Sequence, residues 1–218
     1  MRVVNIPFGA VGIDCLSPIA APTAKEIAAF TMPGTRTGFT FVNRYLENLT
    51  IAELAGLFAA SLGVAFVSEA RTSGWNATTG TQDGQRAVAL AKALGLPQDA
   101  TPLLCLACDM EGMGACAPAD ALDYATNRCA AVVSGGFRGE VYVGDSVPLT
   151  PAQLYGIPLA TSYWRSLSNV QQVAFADYAK WQGYPTQTLQ LPSGSWAADL
   201  NFVTMDKKGR SPTMVVSP

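Results

Sequence analysis

What most limits the fold of this 218-residue chain is a regular alternation of marked helix starts and short apolar runs. Thr23-x-x-Glu26, Thr50-x-x-Glu53, Thr150-x-x-Gln153 and Ser168-x-x-Gln171 each set a hydroxyl three residues ahead of a carboxyl or amide. In that spacing the two side chains can satisfy each other's orphan backbone N–H groups at a helix N-terminus. Pro151 stands at the first helical position of the third, where its missing N–H costs nothing. Glycines mark the ends: Gly63 after Ile51–Leu62, Gly95 with Pro97 after Gly84–Leu94, and Gly135-Gly136 after the segment beginning at Pro118. Between these helices lie apolar runs of strand length: Val11–Asp14, Phe39–Tyr45, Val64–Glu69, Leu103–Asp109, Glu140–Gly144, Pro158–Trp164, Thr188–Leu191 and Asp199–Val203. Most are apolar throughout rather than alternating, as parallel strands covered on both faces are. Strand and helix alternating along the whole chain predict an α/β fold, and eight strands favour a closed, TIM-like (β/α) barrel over an open sheet. The expectation is one barrel domain over residues 1–206, followed by a tail at 207–218 that serves as a surface extension or attachment point.

Composition removes whole classes of function. Apolar residues make up 49% of the chain and charged residues 14%, enough to bury a large core. The formal net charge is -2 and the 14 Lys and Arg form no stripe, so a nucleic-acid partner is not expected. There is no histidine, which excludes Ser-His-Asp and Cys-His catalysis and His-ligated metals. Acid–base chemistry then falls to carboxylates, Tyr, Lys or Cys. Cys105 and Cys108 are three apart on a predicted strand and point to opposite faces, so the five cysteines read as buried thiols rather than a disulfide framework. No apolar stretch reaches the ~18 residues of a membrane span, and Met1–Gly12 lacks the pattern of a signal peptide. No cofactor or metal is expected, since no ion-loop pattern occurs.

The acids fall at strand ends. Asp14 closes the first run, Glu69 the third and Asp109 the fourth, with Glu111 two residues on, while Asp199 opens the last. Barrel enzymes build their sites at the carboxyl ends of different strands, so these acids are expected to meet. Carboxylates crowded in a weakly charged pocket repel one another and lose hydration, which raises at least one pKa and separates acid from base roles. Such a division is what glycoside hydrolysis requires. Flat aromatic and neutral polar groups suit sugars, and Tyr45, Trp75, Tyr142, Tyr163, Trp164, Trp181, Gln182 and Trp196 are expected mostly near the same end. Arg44 ends the second run, as a cation that could pair with an acid or bind substrate.

Taken in order, Gly12-Ile13-Asp14 with Ser17-Pro18, Phe41–Leu46, Leu49-Thr50, Val67-Ser68-Glu69, Asp109-Met110-Glu111, Tyr142-Val143-Gly144 and Trp181-Gln182 resemble a known family. It is the glycoside-hydrolase-like domain family of unknown function typified by a secreted mycobacterial cell-wall protein, which is similar to the lysozyme-like family-25 muramidases. The resemblance implies a TIM-like barrel with a groove at the strand ends and a peptidoglycan or other cell-envelope polysaccharide as partner. It implies Glu111 as general acid and Asp109 as the group that stabilises the cationic intermediate or positions the nucleophile. Asp14 and Asp199 would tune the site. Arg44, Tyr45, Glu69, Tyr142, Trp164, Trp181 and Gln182 are the expected substrate-binding residues. Cys15 and Leu16 follow Asp14 where the family commonly has small polar residues.

Two readings of function follow. One is a wall-degrading glycosidase. The other is a non-catalytic or weakly catalytic cell-wall-binding structural module, such as a phage tail component, whose partners would be virion or tail proteins. A leaderless chain fits a virus-encoded protein that meets the envelope in a virion or is released by lysis.

Overall fold

The computed structural model describes residues 1–33, 37–167, 178–183, 185–204, 206 and 210–217. The chain opens with β1 (Arg2–Asn5), which lies outside the barrel. The barrel strands are β2 (Val11–Asp14), β3 (Phe41–Tyr45), β4 (Gly63–Ser68), β5 (Cys105–Asp109), β6 (Arg138–Val143), β7 (Ala160–Ser166), β8 (Lys180–Gln182) and β10 (Gly194–Val203). Neighbours from β2 round to β8 run parallel. The eighth strand, β10, closes the ring antiparallel to both β8 and β2. The run at Thr188–Leu191, expected in the barrel, instead belongs to β9 (Gln187–Leu191), which forms a hairpin with the first half of β10. Its barrel place is taken by β8, a three-residue strand too short to stand out as an apolar run.

Helices α1 (Ala21–Ala29), α2 (Ile51–Ala59), α3 (Ala77–Ala93), α4 (Pro118–Ser134) and α5 (Pro151–Tyr155) follow the strands. The start signals act unevenly. Thr150 and Gln153 form the reciprocal box at α5. Thr50 accepts the Glu53 N–H at 3.1 Å, but the Glu53 carboxylate goes to the Ile19 N–H at 2.9 Å and to Arg44 instead of returning to the cap. Thr23 does not cap α1, which begins two residues earlier with Pro22 in its first turn. The Ser168–Gln171 pattern lies outside the described residues. Asn76 with Thr79 caps α3 by the same reciprocal bonding. At the far ends Gly95 (φ 70°) and Gly136 (φ 85°) take the left-handed position as expected, whereas after α2 Ser61 does so and Gly63 begins β4.

The segment expected as a tail supplies β11 (Thr213–Val216), which pairs with β1 and, through Val215, with β4. Its Met214 joins Ile6, Phe41, Ala65 and Val203 in an apolar plug at the amino end of the barrel. Two larger apolar layers separate barrel from helices, one under α1, α2 and α3 and one under α4 and α5. The five cysteines are free, and all but Cys116 are buried.

Helices α3 and α4 approach so closely that a Cβ on Gly80 would sit 2.3 Å from the Tyr124 carbonyl oxygen. Alanine gains roughly 1 kcal/mol of helix propensity over glycine, whereas forcing atoms into a packed contact costs about 1–3 kcal/mol. With backbone as the obstacle the clash dominates. Gly80→Ala is therefore expected to lower stability in denaturant unfolding, and an unchanged or raised midpoint would refute the close packing.

Candidate functional site

The antiparallel run of β10 decides which acids meet. The first half of this strand lies at the end of the barrel where the parallel strands finish, so Asp199, in mid-strand, pairs directly with Asp14 at the end of β2. Asp109 ends β5 opposite Tyr142 of β6. Past Asp109 the two strands stay laced: Met110 N–H donates to the Tyr142 carbonyl at 3.2 Å and Gly112 N–H to that of Asp145 at 3.1 Å. Glu111 thus lies on a turn rather than on the strand, with Gly112 at φ 77°. Its N–H donates to the Asp109 carboxylate at 2.8 Å, which ties the two acids together. Gly144 leaves the space that the Glu111 side chain crosses, since a Cβ there would be 2.6 Å from the Glu111 Cβ. Above these residues opens a cleft of about 580 Å³ whose lining includes Glu111, Tyr142, Asp145, Ser166, Gln182 and Asp199.

Burial is the main influence on these acids. It pushes Asp14 up to about 8, helped by the charges of Asp199 and Asp109 and opposed by Lys180 and Arg44. Asp109 is raised to about 7, again first by burial; the Glu111 N–H opposes this, and Glu69 and Glu111 add to it. Glu111 is raised as well. The residue as a whole is exposed, but partial burial of its carboxyl leads, the Asp145 N–H counteracts it, and the negative charges of Asp145, Glu69 and Asp199 add to the rise. Tyr45 and Tyr142 are raised by burial and by the same acids. Each group thus feels its neighbours, as expected of carboxyls drawn into one poorly hydrated space.

Beneath the acids the barrel lumen holds a buried ionic cluster. Lys180 Nζ donates to Asn43 Oδ1 at 2.9 Å, pairs with Glu140 at 3.2 Å and lies 4.3 Å from the centre of the Trp164 ring. Ser162 donates to the same Glu140 at 2.9 Å. Glu140 offsets most of the Lys180 charge, so Lys180 relieves the crowding of the acids above only in part.

Several expected binding groups are elsewhere. Arg44 is fully buried on the outer side of β3, ion-paired to Glu53 at 2.8 Å and bonded to the Cys15 carbonyl. Successive strand residues alternate faces, so with Asn43 in the lumen Arg44 must point to the helices. Trp164 is buried inside the lumen against Tyr142 and Lys180, 1% exposed. Trp181 points outward to Tyr178 and Arg165, its Nε1 donating to Thr204 at 3.1 Å. Trp75 and Tyr163 pack with the outer layer and Trp196 with the layer under α1, so among the described residues Tyr142 is the aromatic that lines the cleft. Tyr45 is half-buried within reach of the charges of Asp14 and Asp109, and Glu69 stands exposed just past β4. Asp145 and Ser166 line the cleft without having been expected. Asp145 follows the Tyr142–Gly144 run and obeys the strand-end rule that points to the other acids, whereas Glu140 opens that apolar run without being singled out and Lys180 lies in a segment too short to stand out.

Residues 34–208 match the model of the family described as Rv2525c-like, glycoside hydrolase-like domain. The chain belongs to that family. No curated protein sequence matches it. Among solved structures this Rv2525c-like chain is similar to an uncharacterized B. stearothermophilus protein, with TM-score 0.67 and 16% identity over 92% of this chain and 97% of that one. It is similar also to a family 25 glycosyl hydrolase from Bacillus anthracis, with TM-score 0.61 and 11% identity over 95% of each chain. The Clostridium perfringens spore cortex lytic enzyme SleM aligns with TM-score 0.58 and 11% identity over 95% of this chain and 71% of SleM. At such identities these three establish a shared fold.

The raised acids of this Rv2525c-like domain make its stability depend on pH. An aspartate whose folded pKa exceeds its unfolded value favours folding fully only below the unfolded value of 3.8, and that contribution is lost as pH rises through the folded value of about 8. Asp14→Asn is then expected to be more stable than the parent at pH 8 by at least about 1.4 kcal/mol, the equivalent of one unit, and to lose that advantage near pH 4. Denaturant unfolding at the two pH values measures it. Equal stability of the two proteins at pH 8 would contradict the buried, crowded setting of Asp14.

Proposed function

We propose that this domain is a glycoside hydrolase acting on peptidoglycan or another bacterial cell-envelope glycan, with Glu111 as general acid. The observation behind the reading is the fixing of Glu111 over the cleft by its own N–H on Asp109, together with a proton affinity raised by burial and neighbouring acids. A general acid needs a proton to give near working pH and a place beside the leaving oxygen. Of the two tied acids, Glu111 lines the cleft and Asp109 lies buried below it. The family and the shared fold with a family 25 glycosyl hydrolase and a cortex lytic enzyme support a polysaccharide substrate.

In this mechanism Glu111 transfers its proton to the glycosidic oxygen as the bond from that oxygen to the sugar C1 breaks. The positive charge left on C1 and the ring oxygen is met by the carboxylates on the other side, with Asp109 stabilising the intermediate or positioning the nucleophile. Water supplies the new C1–O bond, and its proton returns to a carboxylate. Asp14 and Asp199 tune how the remaining protons are shared, while Tyr45, Glu69, Tyr142 and Gln182 contact the sugar.

Glu111→Gln keeps the shape of the side chain and removes its proton donor. Release of reducing ends from purified cell wall is expected to fall by about 10²–10⁴, the usual contribution of a general acid, with unchanged thermal unfolding. Activity at the parental level would remove Glu111 from the mechanism, and a wild-type protein that sediments with wall yet releases nothing would end the hydrolase reading. Gly144→Ala tests the placement, since the new methyl group would occupy the path of the Glu111 side chain. It is expected to lower kcat by about 10²-fold, the effect of a ~1 Å displacement of reacting groups, with KM less affected. A kcat equal to that of the parent would show that Glu111 needs no such clearance.

A further inference from the structure

We propose that the buried network of Asp83, Tyr124 and Arg128 between α3 and α4 is a positioning device for the site: by holding Ser68 and Arg71 it fixes Glu69, which stands between them, against the tied pair of Asp109 and Glu111. That Glu69 serves hydrolysis rests on the glycosidase reading above, whereas its placement does not. Glu69 is exposed and opens the loop that follows β4. Among the described residues no ion pair holds its carboxylate. Its place is therefore set by the backbone on either side.

Both sides are clamped from behind the barrel wall. Ser68 closes β4 in register with Cys108, the residue before Asp109. Its carbonyl accepts from Arg128 Nη2 at 2.9 Å, and its hydroxyl donates to Glu47. Farther along, Arg71 grips the Asp83 carboxylate through Nε and, at 2.9 Å, through Nη2. Tyr124 joins the two clamps, since its hydroxyl donates to Asp83 at 2.9 Å and accepts from Arg128 Nη1 at 3.4 Å. The far end of the same loop is fastened by Thr79, whose hydroxyl donates to the Gly74 carbonyl at 2.9 Å.

Packing alone does not account for this network. Arg128 is 1% exposed, and among the described residues no carboxylate forms an ion pair with its guanidinium. A buried charge without such a partner is costly, and an apolar side chain would fill the space at less cost. What the guanidinium adds is a donor for the last carbonyl of β4. The acids register the result. Asp109 feels Glu69 together with Glu111, Asp14 and Arg128, and Tyr45 and Tyr142 stand within reach of its charge. Glu111 feels Glu69 as well. A wandering Glu69 would exert that influence only part of the time.

The test follows the titration of Asp109 by NMR of its labelled carboxyl carbon in the whole protein, with Asp109→Asn to assign the resonance. Glu69→Gln removes one negative charge and is expected to lower the Asp109 midpoint by on the order of half a pH unit, as for two like charges near a protein surface. Arg71→Met releases the loop. Loss of a cation by itself would raise the midpoint, so the expected fall reports Glu69 leaving its place. Tyr124→Phe keeps the ring, alters no charge at neutral pH and should lower the midpoint too. In either background Glu69→Gln is expected to have less than half its effect in the parent, as coupled residues do. A merely structural role would leave the midpoint where it is. A midpoint that stays or rises in every folded variant of Arg71 and Tyr124, a full-sized Glu69→Gln effect in their backgrounds, or no Glu69→Gln effect in the parent overturns the proposal. Failure of the glycosidase reading looks different: the midpoints move as stated, and the wall is not cleaved.

Discussion

The site depends on a single departure from parallel order, the antiparallel strand β10 that closes the barrel. Were β10 parallel, Asp199 would lie at the opposite height from where it stands, because its distance from the strand start would be measured from the other end. Run backwards, the strand brings Asp199 into direct register with Asp14 and extends its first half into the hairpin with β9. The same reversal gives Asn201 a place opposite Gly12 and next to Gln182. Three acids on separate strands thereby share one mouth of the barrel without any of the connecting loops having to deliver them.

The ionic cluster below determines how much that sharing costs. Lys180 is the cation closest to the acids from beneath, and alone it would stabilise ionised Asp14. It is instead largely spoken for by Glu140, Asn43 and the face of Trp164. Burial of such a pair is tolerated because each partner keeps its hydrogen bonds, whereas a single member left behind would be an uncompensated charge. The outcome is a layered interior: an apolar plug at one end, a paired polar middle, and an upper layer of acids whose repulsion the nearby cations offset only in part. Loss of hydration first, and the repulsion that remains second, hold protons on these carboxyls near neutral pH, and the fold is less stable for it.

Much of this order was legible in the sequence, and what was hidden has a physical reason. Seven of the eight barrel strands show as apolar runs because two buried faces demand continuous hydrophobicity. β8 does not show, since three residues reading Lys-Trp-Gln carry their polar groups into the lumen and their ring outward. The strand-end rule found Asp14, Asp109, Glu111 and Glu69, and missed Asp145 only because the run Glu140–Gly144 stops one residue short of it. Arg44 and Trp181 were placed in the cleft by nearness in sequence. Counting by twos from a residue known to face the lumen, Asn43 for one and Lys180 for the other, sends both outward. Direction of chain is the feature no local pattern reports: Asp199 could be recognised as an acid on a strand, but not as one in a strand running against its neighbours.

Glu111 shows how local residues on a fold common to many proteins set the position and proton affinity of a single acid. Nothing in the barrel requires an acid there, since the residue lies beyond the last ladder residue of β5, exposed and on a turn. What holds it is a set of local choices. Gly112 accepts the left-handed backbone, the Asp109 carboxylate receives the Glu111 N–H, the Asp145 N–H faces the Glu111 carboxylate, and Gly144 has no side chain to obstruct it. Two of the four are glycines and two are acids, so the residues that position Glu111 also supply the charges that raise its proton affinity or the room it occupies. Geometry and proton affinity at this position are therefore coupled: a change to Asp109 or Asp145 alters where Glu111 sits and how tightly it holds its proton, whereas a change at Gly144 acts first on position. A graded set of substitutions there separates the two effects, which no substitution of Glu111 itself can do.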